Sequence, residues 1–151
     1  MRYGKAWLCS HILVLVALIA AASHTPAAAA TSLCNLLTAQ EIGAVLNEPI
    51  QPPQAMQTGG CIWRGTGTDS VTLEAPGTGR PGFDNAKSRT SPTVPLTGIG
   101  DAAFAFTSVA GFVQVSFVKG GTFLTLLVQT RDGKGAQAAA RSLSAKIASR
   151  L

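Results

Sequence analysis

The chain has two histidines, and both lie near its start, at His11 and His24. Beyond residue 30 there is none. That absence removes the imidazole base on which Ser-His-Asp and Cys-His sites depend. A Ser-Lys pair at Lys87-Ser88 sets its two side chains next to each other, where they do not face. Cysteine is scarce, at three. There is no C-x-x-C, so neither a redox motif nor a zinc site has its ligands. Charged residues make up 13% and aromatics 6% of the chain. They form no basic run and no stacking platform, which argues against nucleic acid as a partner. The acids are scattered rather than paired, as glycoside hydrolysis would need. The long apolar run, 12–22, is too short to span a bilayer comfortably.

That run reads instead as an address. Arg2 and Lys5 precede it, and an alanine-rich stretch ending in Ala28-Ala29-Ala30 follows it. This is the layout of a bacterial secretory leader with an A-x-A cleavage site near Ala30. An uncleaved anchor is the alternative. Residues 1–30 would carry away both histidines, Tyr3, Trp7 and Cys9, and net charge would fall from +5 to about +3. Residues 31–151 then make one small exported domain, periplasmic or secreted, that meets the membrane only transiently through its leader. Cys34 and Cys61 remain as an even pair. In an oxidising compartment a disulfide is the default expectation, worth about 3–4 kcal/mol for a loop of this length.

Residues 112–129, FVQVSFVKGGTFLTLLVQ, organise the domain. Two apolar runs meet at Gly120-Gly121, which predicts a β-hairpin with a two-residue turn, since such turns need positive φ. The register then pairs Lys119 with Thr122, Val118 with Phe123, Phe117 with Leu124, Val115 with Leu126 and Val113 with Val128. One face is wholly apolar. The other sets Phe112, Gln114, Ser116 and Val118 against Gln129, Leu127, Thr125 and Phe123. A slip of one residue would destroy this segregation. In residues 133–151, Ala136, Ala140, Leu143, Ile147 and Leu151 recur at helical spacing, with Gln137, Arg141 and Ser144 towards another side. Asp132 is the expected N-cap, and Lys146 and Arg150 suit the C-terminal end. This helix is the expected cover for the apolar face.

Thr38 and Glu41 have capping-box spacing ahead of Ile42, Val45 and Leu46, and Asn47-Glu48-Pro49 ends that helix. Residues 51–57 read as a Pro/Gln loop. Cys61-Ile62-Trp63-Arg64 and residues 71–75 read as paired strands, with Trp63 in the core. Residues 77–82 read as loop and 83–89 as a short polar helix. Residues 91–96 read as an extended connection or edge strand, because they hold two prolines. Gly98-Ile99-Gly100-Asp101 is a tight turn before a strand over 103–107. The sum is an α+β fold in the order α-β-β-α-β-β-β-α: a mainly antiparallel sheet of about five strands with helices packed on it, like an α/β/α sandwich.

Gly77-Thr78-Gly79-Arg80-Pro81-Gly82 matches G-x-G-x-x-G, but it lacks the βαβ context of a dinucleotide site. Asp101 and Arg64 form the candidate polar site. Asp101 follows a glycine turn, where acids usually bond backbone. Arg64, Arg80 and Arg89 are candidates for an anionic ligand, solvated surface arginines being the commoner case.

Cys34-x-Leu36-Leu37-Thr38-x-x-Glu41-Ile42-x-x-Val45-Leu46, then Cys61-x-Trp63, then Gly-Ile-Gly-Asp-Ala-Ala-Phe at 98–104, resembles a family of small exported bacterial cell-envelope domains of unknown function. Many are lipoproteins of actinobacteria, with relatives in proteobacteria, and some look similar to the PsbP-like α/β/α sandwich. The small residue expected before a lipidated cysteine is missing here, since Thr31-Ser32-Leu33 precedes Cys34. The resemblance implies fold and compartment, and no activity.

The expectation is an exported, non-catalytic binding or interaction module with no cofactor or metal. Its candidate ligand or partner face is Phe112, Gln114, Ser116, Phe123, Thr125 and Leu127, facing a small apolar ligand or an envelope protein. A second layer of helix is the competing occupant of that face. The other readings are a carboxylate-dependent hydrolase using Asp101 and a structural accessory of an envelope complex.

Overall fold

The computed structural model describes residues 32–151, and the expected leader at 1–30 lies outside them. A 3₁₀ turn, Leu33–Asn35, carries Cys34 and leads into helix α1 (Ala39–Leu46). Strands β1 (Gln54–Ala55), β2 (Cys61–Arg64) and β3 (Ser70–Thr78) follow, then helix α2 (Gly79–Arg89). Strands β4 (Val94–Leu96), β5 (Ala102–Thr107), β6 (Val113–Lys119) and β7 (Thr122–Gln129) precede helix α3 (Ala136–Ala148). The fold is α+β. One sheet of seven strands runs in the order β1-β2-β3-β7-β6-β5-β4, every pairing antiparallel.

The β6–β7 hairpin has the register its alternation predicts, from Lys119 opposite Thr122 to Val113 opposite Val128. Gly120 and Gly121 both take positive φ, +54° and +83°, which the tight turn demands. The apolar face packs under α3, where Ala136, Ala140, Leu143 and Ile147 are fully buried. Burying Leu143 or Ile147 is worth roughly 1.5–3 kcal/mol each. Ile42 of α1, together with Leu37 and Trp63, completes this core. The Cys34–Cys61 disulfide is formed, with Cα atoms 5.1 Å apart, and ties the 3₁₀ turn to β2.

The start of α1 is fixed by its capping box. The Glu41 amide donates to Thr38 Oγ1 and the Thr38 amide donates to Glu41 Oε2. Glu41 also binds α3, accepting from Lys146 Nζ at 3.1 Å and from both terminal nitrogens of Arg150. Arg150 donates in addition to the Leu36 carbonyl. The Arg150 guanidinium foremost, then the Thr38 amide and Lys146, hold the Glu41 carboxyl far below the ordinary carboxylate range. Asn47, at φ +58°, closes α1 in the left-handed conformation.

Several boundaries differ from the sequence-based expectation. The sheet has seven strands rather than about five, because the 51–57 segment contributes β1 and the proline-bearing stretch takes its edge-strand alternative as β4. Residues 77–82 are not a loop: β3 runs on to Thr78 and α2 begins at Gly79. A bulge sets Ala75 and Pro76 opposite Leu124, and pairing resumes at Gly77. The N-cap of α3 is Gly135, since Asp132 instead accepts from the Lys134 amide and forms its own turn. Ser144 points inward and its hydroxyl is buried without a partner, while Leu151 is exposed.

Candidate functional site

Strand register sorts the second face of the sheet into rows running across it. Nearest the hairpin tip lie Gly77, Phe123, Val118 and Ala102. Glu74, Thr125, Ser116, Phe104 and Pro95 come next, followed by Gln54, Ile62, Thr72, Leu127, Gln114 and Phe106. Helix α2 sits on β3, β6 and β7 near the tip, and Phe83 seals a small cluster with Phe104, Val118 and Phe123. The Phe83 ring lies 5.3 Å from Phe104 and 6.0 Å from Phe123, centroid to centroid.

The glycines of the G-x-G-x-x-G stretch explain this close seat. A Cβ on Gly82 would stand 3.1 Å from the Phe123 ring, and one on Gly77 would stand 3.6 Å from Gly82 Cα. They are packing residues that let the first turn of α2 rest on the hairpin.

Beyond α2 the face is open. Between the helix and the exposed rows lies a cleft of about 680 Å³, within the usual size of small-molecule sites. It is lined by Pro81, Asn85 and Ala86 of α2, by Glu74 and Pro76 of β3, and by Gln114, Phe123, Thr125 and Leu127 of the hairpin. The hairpin lining is polar in an ordered way. Gln114 Nε2 donates to Ser116 Oγ at 3.0 Å, and Ser116 Oγ and Thr125 Oγ1 share a hydrogen bond of 3.1 Å. Both hydroxyls are buried and each has a hydrogen-bond partner, so they cost little there.

Of the face expected from the hairpin, the structure brings Gln114, Phe123, Thr125 and Leu127 to the cleft. Ser116 lies beneath them as a buried bridge. Phe112 stands apart, half-buried against Phe106 at 6.4 Å. Helix and opening thus divide the face between them. Sequence reasoning missed Glu74, Pro76 and Asn85. The alternation of buried Val71 and Leu73 does place Thr72 and Glu74 on the second face, but only the β3–β7 pairing sets Glu74 beside Thr125.

Asp101 and Arg64 lie at opposite ends of the sheet. Asp101 is exposed at the hairpin tip, where its Oδ2 accepts from the Gly120 amide at 3.0 Å and its own amide donates to the Val118 carbonyl. It latches the turn. Gly100, at φ +57°, packs so closely on the Val118 carbonyl that a Cβ there would collide with it. Arg64 is exposed and donates to Gln54 Oε1 at 2.6 Å across β1 and β2. Arg80 pairs with Asp84 at 3.0 Å and lies over the Phe83 ring, and Arg89 is exposed in the last turn of α2. Among the described residues no three His, Cys, Asp or Glu side chains gather as a metal site. Nor is any helix among them long and apolar enough to cross a membrane.

No family model, curated protein or solved structure matches this chain.

Proposed function

We propose that the protein is an exported, non-catalytic binding module of the bacterial cell envelope, and that the cleft beside α2 holds its ligand or partner. One observation carries this reading: α2 covers only the tip end of the second sheet face, and what it leaves open is an apolar-and-amide cleft with half-buried Leu127 and Gln114 in its lining. Monomeric proteins seldom leave such a concave, partly apolar surface without use. The Cys34–Cys61 disulfide supports export, because such bridges persist in oxidising compartments. The leader-like composition of residues 1–30 supports it as well. The occupant is a small apolar ligand or a segment of an envelope protein.

Native mass spectrometry of the protein purified from its host tests the reading, alongside the variant Leu127→Asp. The expected result is an associated small molecule or partner chain that Leu127→Asp loses while its melting temperature is kept. A bare mass for both, with no partner recovered from periplasm, overturns it.

A further inference from the structure

We infer that the cleft is selective for an amphiphile with a primary ammonium head, an inference that rests on the cleft being a binding site. Of the side chains lining it, Glu74 is the one that carries charge. The domain around it is basic, with ten lysines and arginines against seven acids in residues 31–151. The wall is therefore opposite in sign to the body that presents it. Glu74 faces Thr125 on the open side of the sheet. Among the described residues its carboxylate takes part in no ion pair, like those of Asp69 and Glu48, whereas Asp84, Asp101, Asp132 and Glu41 are paired.

The neighbouring polar groups point the same way. Gln114 spends an amide hydrogen on Ser116, which leaves its carbonyl oxygen as an acceptor in the cleft. The Ser116 and Thr125 hydroxyls are engaged with each other. The cleft thus offers a carboxylate and an amide carbonyl to whatever enters, beside the Asn85 amide, which can accept or donate. A primary ammonium brings three donors and no acceptor, and so matches both. A carboxylate or phosphate head would face Glu74 as a like charge. Leu127, Phe123, Pro76, Pro81 and Ala86 supply the apolar walls along which an alkyl chain would lie.

Amide NMR of isotope-labelled protein, titrated in parallel with octylammonium, octanol and octanoate, tests this. The three share one alkyl chain and differ in head charge. The expected result is saturable shifts at Glu74, Asn85, Gln114, Thr125 and Leu127, with octylammonium binding roughly tenfold more tightly than octanol and octanoate weakest. Glu74→Gln, which keeps shape and hydrogen-bonding capacity, should bring octylammonium to within about twofold of octanol without moving the melting temperature. Equal binding of octylammonium and octanol, or indifference to Glu74→Gln, overturns the ammonium assignment and leaves the cleft as a binding site. No saturable shift at those residues with any of the three overturns the amphiphile assignment as well, and the cleft's role as a binding site then stands or falls on the mass-spectrometric test above.

Discussion

Glu41 joins the beginning of the domain to its end, and replacing it separates charge from geometry. Glu41→Gln keeps an oxygen that can still accept from the Thr38 amide, but removes the charge that faces Lys146 and Arg150. Hydrogen bonds to charged groups are worth about 1.5–3 kcal/mol. The Glu41 side chain is 22% exposed, so solvent screening reduces this, and we expect Glu41→Gln to cost about 1–2 kcal/mol at pH 7. Glu41→Ala also loses the capping box, which adds about 1 kcal/mol. For a domain of this size the glutamine variant should melt roughly 4–8 °C lower. The pH dependence is the sharper check. The folded carboxyl lies below its ordinary value of 4.5, so its contribution is whole above that value and is lost as pH falls through the acid range below it. Glutamine does not titrate, so subtracting its urea-unfolding free energy from that of the wild type cancels the other carboxylates. The gap should be flat from neutral pH down to about 5 and shrink steadily below. A gap that stays constant into strong acid, or no gap at neutral pH, refutes the electrostatic account.

Glu48 should behave in the opposite sense. Its Oε1 is buried without a partner over Gly65. Burial first, then Asp69, pushes its carboxyl up, with Arg131 opposing. A raised carboxyl costs stability above its folded pKa and relieves that cost as pH falls. Glu48→Gln should therefore gain about 1 kcal/mol at pH 8, with the gain fading on acidification; a loss at pH 8 in urea titration would falsify this. Gly100→Ala forces a side chain into positive φ and against the Val118 carbonyl, so we expect a loss of about 2–4 kcal/mol by thermal melting. Gly98→Ala has positive φ but open space around it, and should cost less than half as much. The double replacement Cys34→Ser, Cys61→Ser should cost about 3–4 kcal/mol by denaturant titration. A change within error would mean that the 3₁₀ turn is held by packing alone.

The parts of the fold that could be read from the sequence are those where one local rule acts alone. The hairpin register follows from period-two alternation meeting Gly120-Gly121, and the start of α1 follows from the reciprocal Thr38–Glu41 spacing. The parts that could not be read are set by distant partners. Gly79, Pro81 and Gly82 are poor helix formers, yet they open α2 because Gly77 and Gly82 fit against the Phe123 ring, far along the chain. Strand β1 is two residues without periodicity, and it exists only because Gln54 and Ala55 find Ile62 and Cys61. Asp132 resembled a cap until Lys134 took its carboxylate. Ser144 is drawn inside by an otherwise alanine-rich stripe. The same division holds at the cleft. Gln114, Phe123, Thr125 and Leu127 lie on one hairpin and share a face by alternation, whereas Glu74 and Asn85 reach it through the β3–β7 pairing and the seat of α2.

That division also accounts for why an opening exists at all. Seven strands at a spacing of about 4.8 Å span roughly 29 Å. An eleven-residue helix is only about 16 Å long, with a body about 10 Å wide. Helix α2 cannot roof such a face, and Thr90 and the proline-bearing approach to β4 prevent it from extending. On the first face α1 and α3 together cover the apolar stripe, and the buried residues beneath them are apolar, the disulfide-bonded Cys61 among them. On the second face the composition changes where the roof ends: Phe104, Val118 and Phe123 lie under Phe83 of α2, then Thr125, Ser116 and Glu74 mark its edge, then Thr72, Leu127 and Gln114 lie beyond it. A face meant only for water would not place Leu127 and Ile62 in that outer row, and a face meant for burial would not place Glu74 beside it. The mixture is what the proposed binding role requires, a surface solvated when empty and dry when filled.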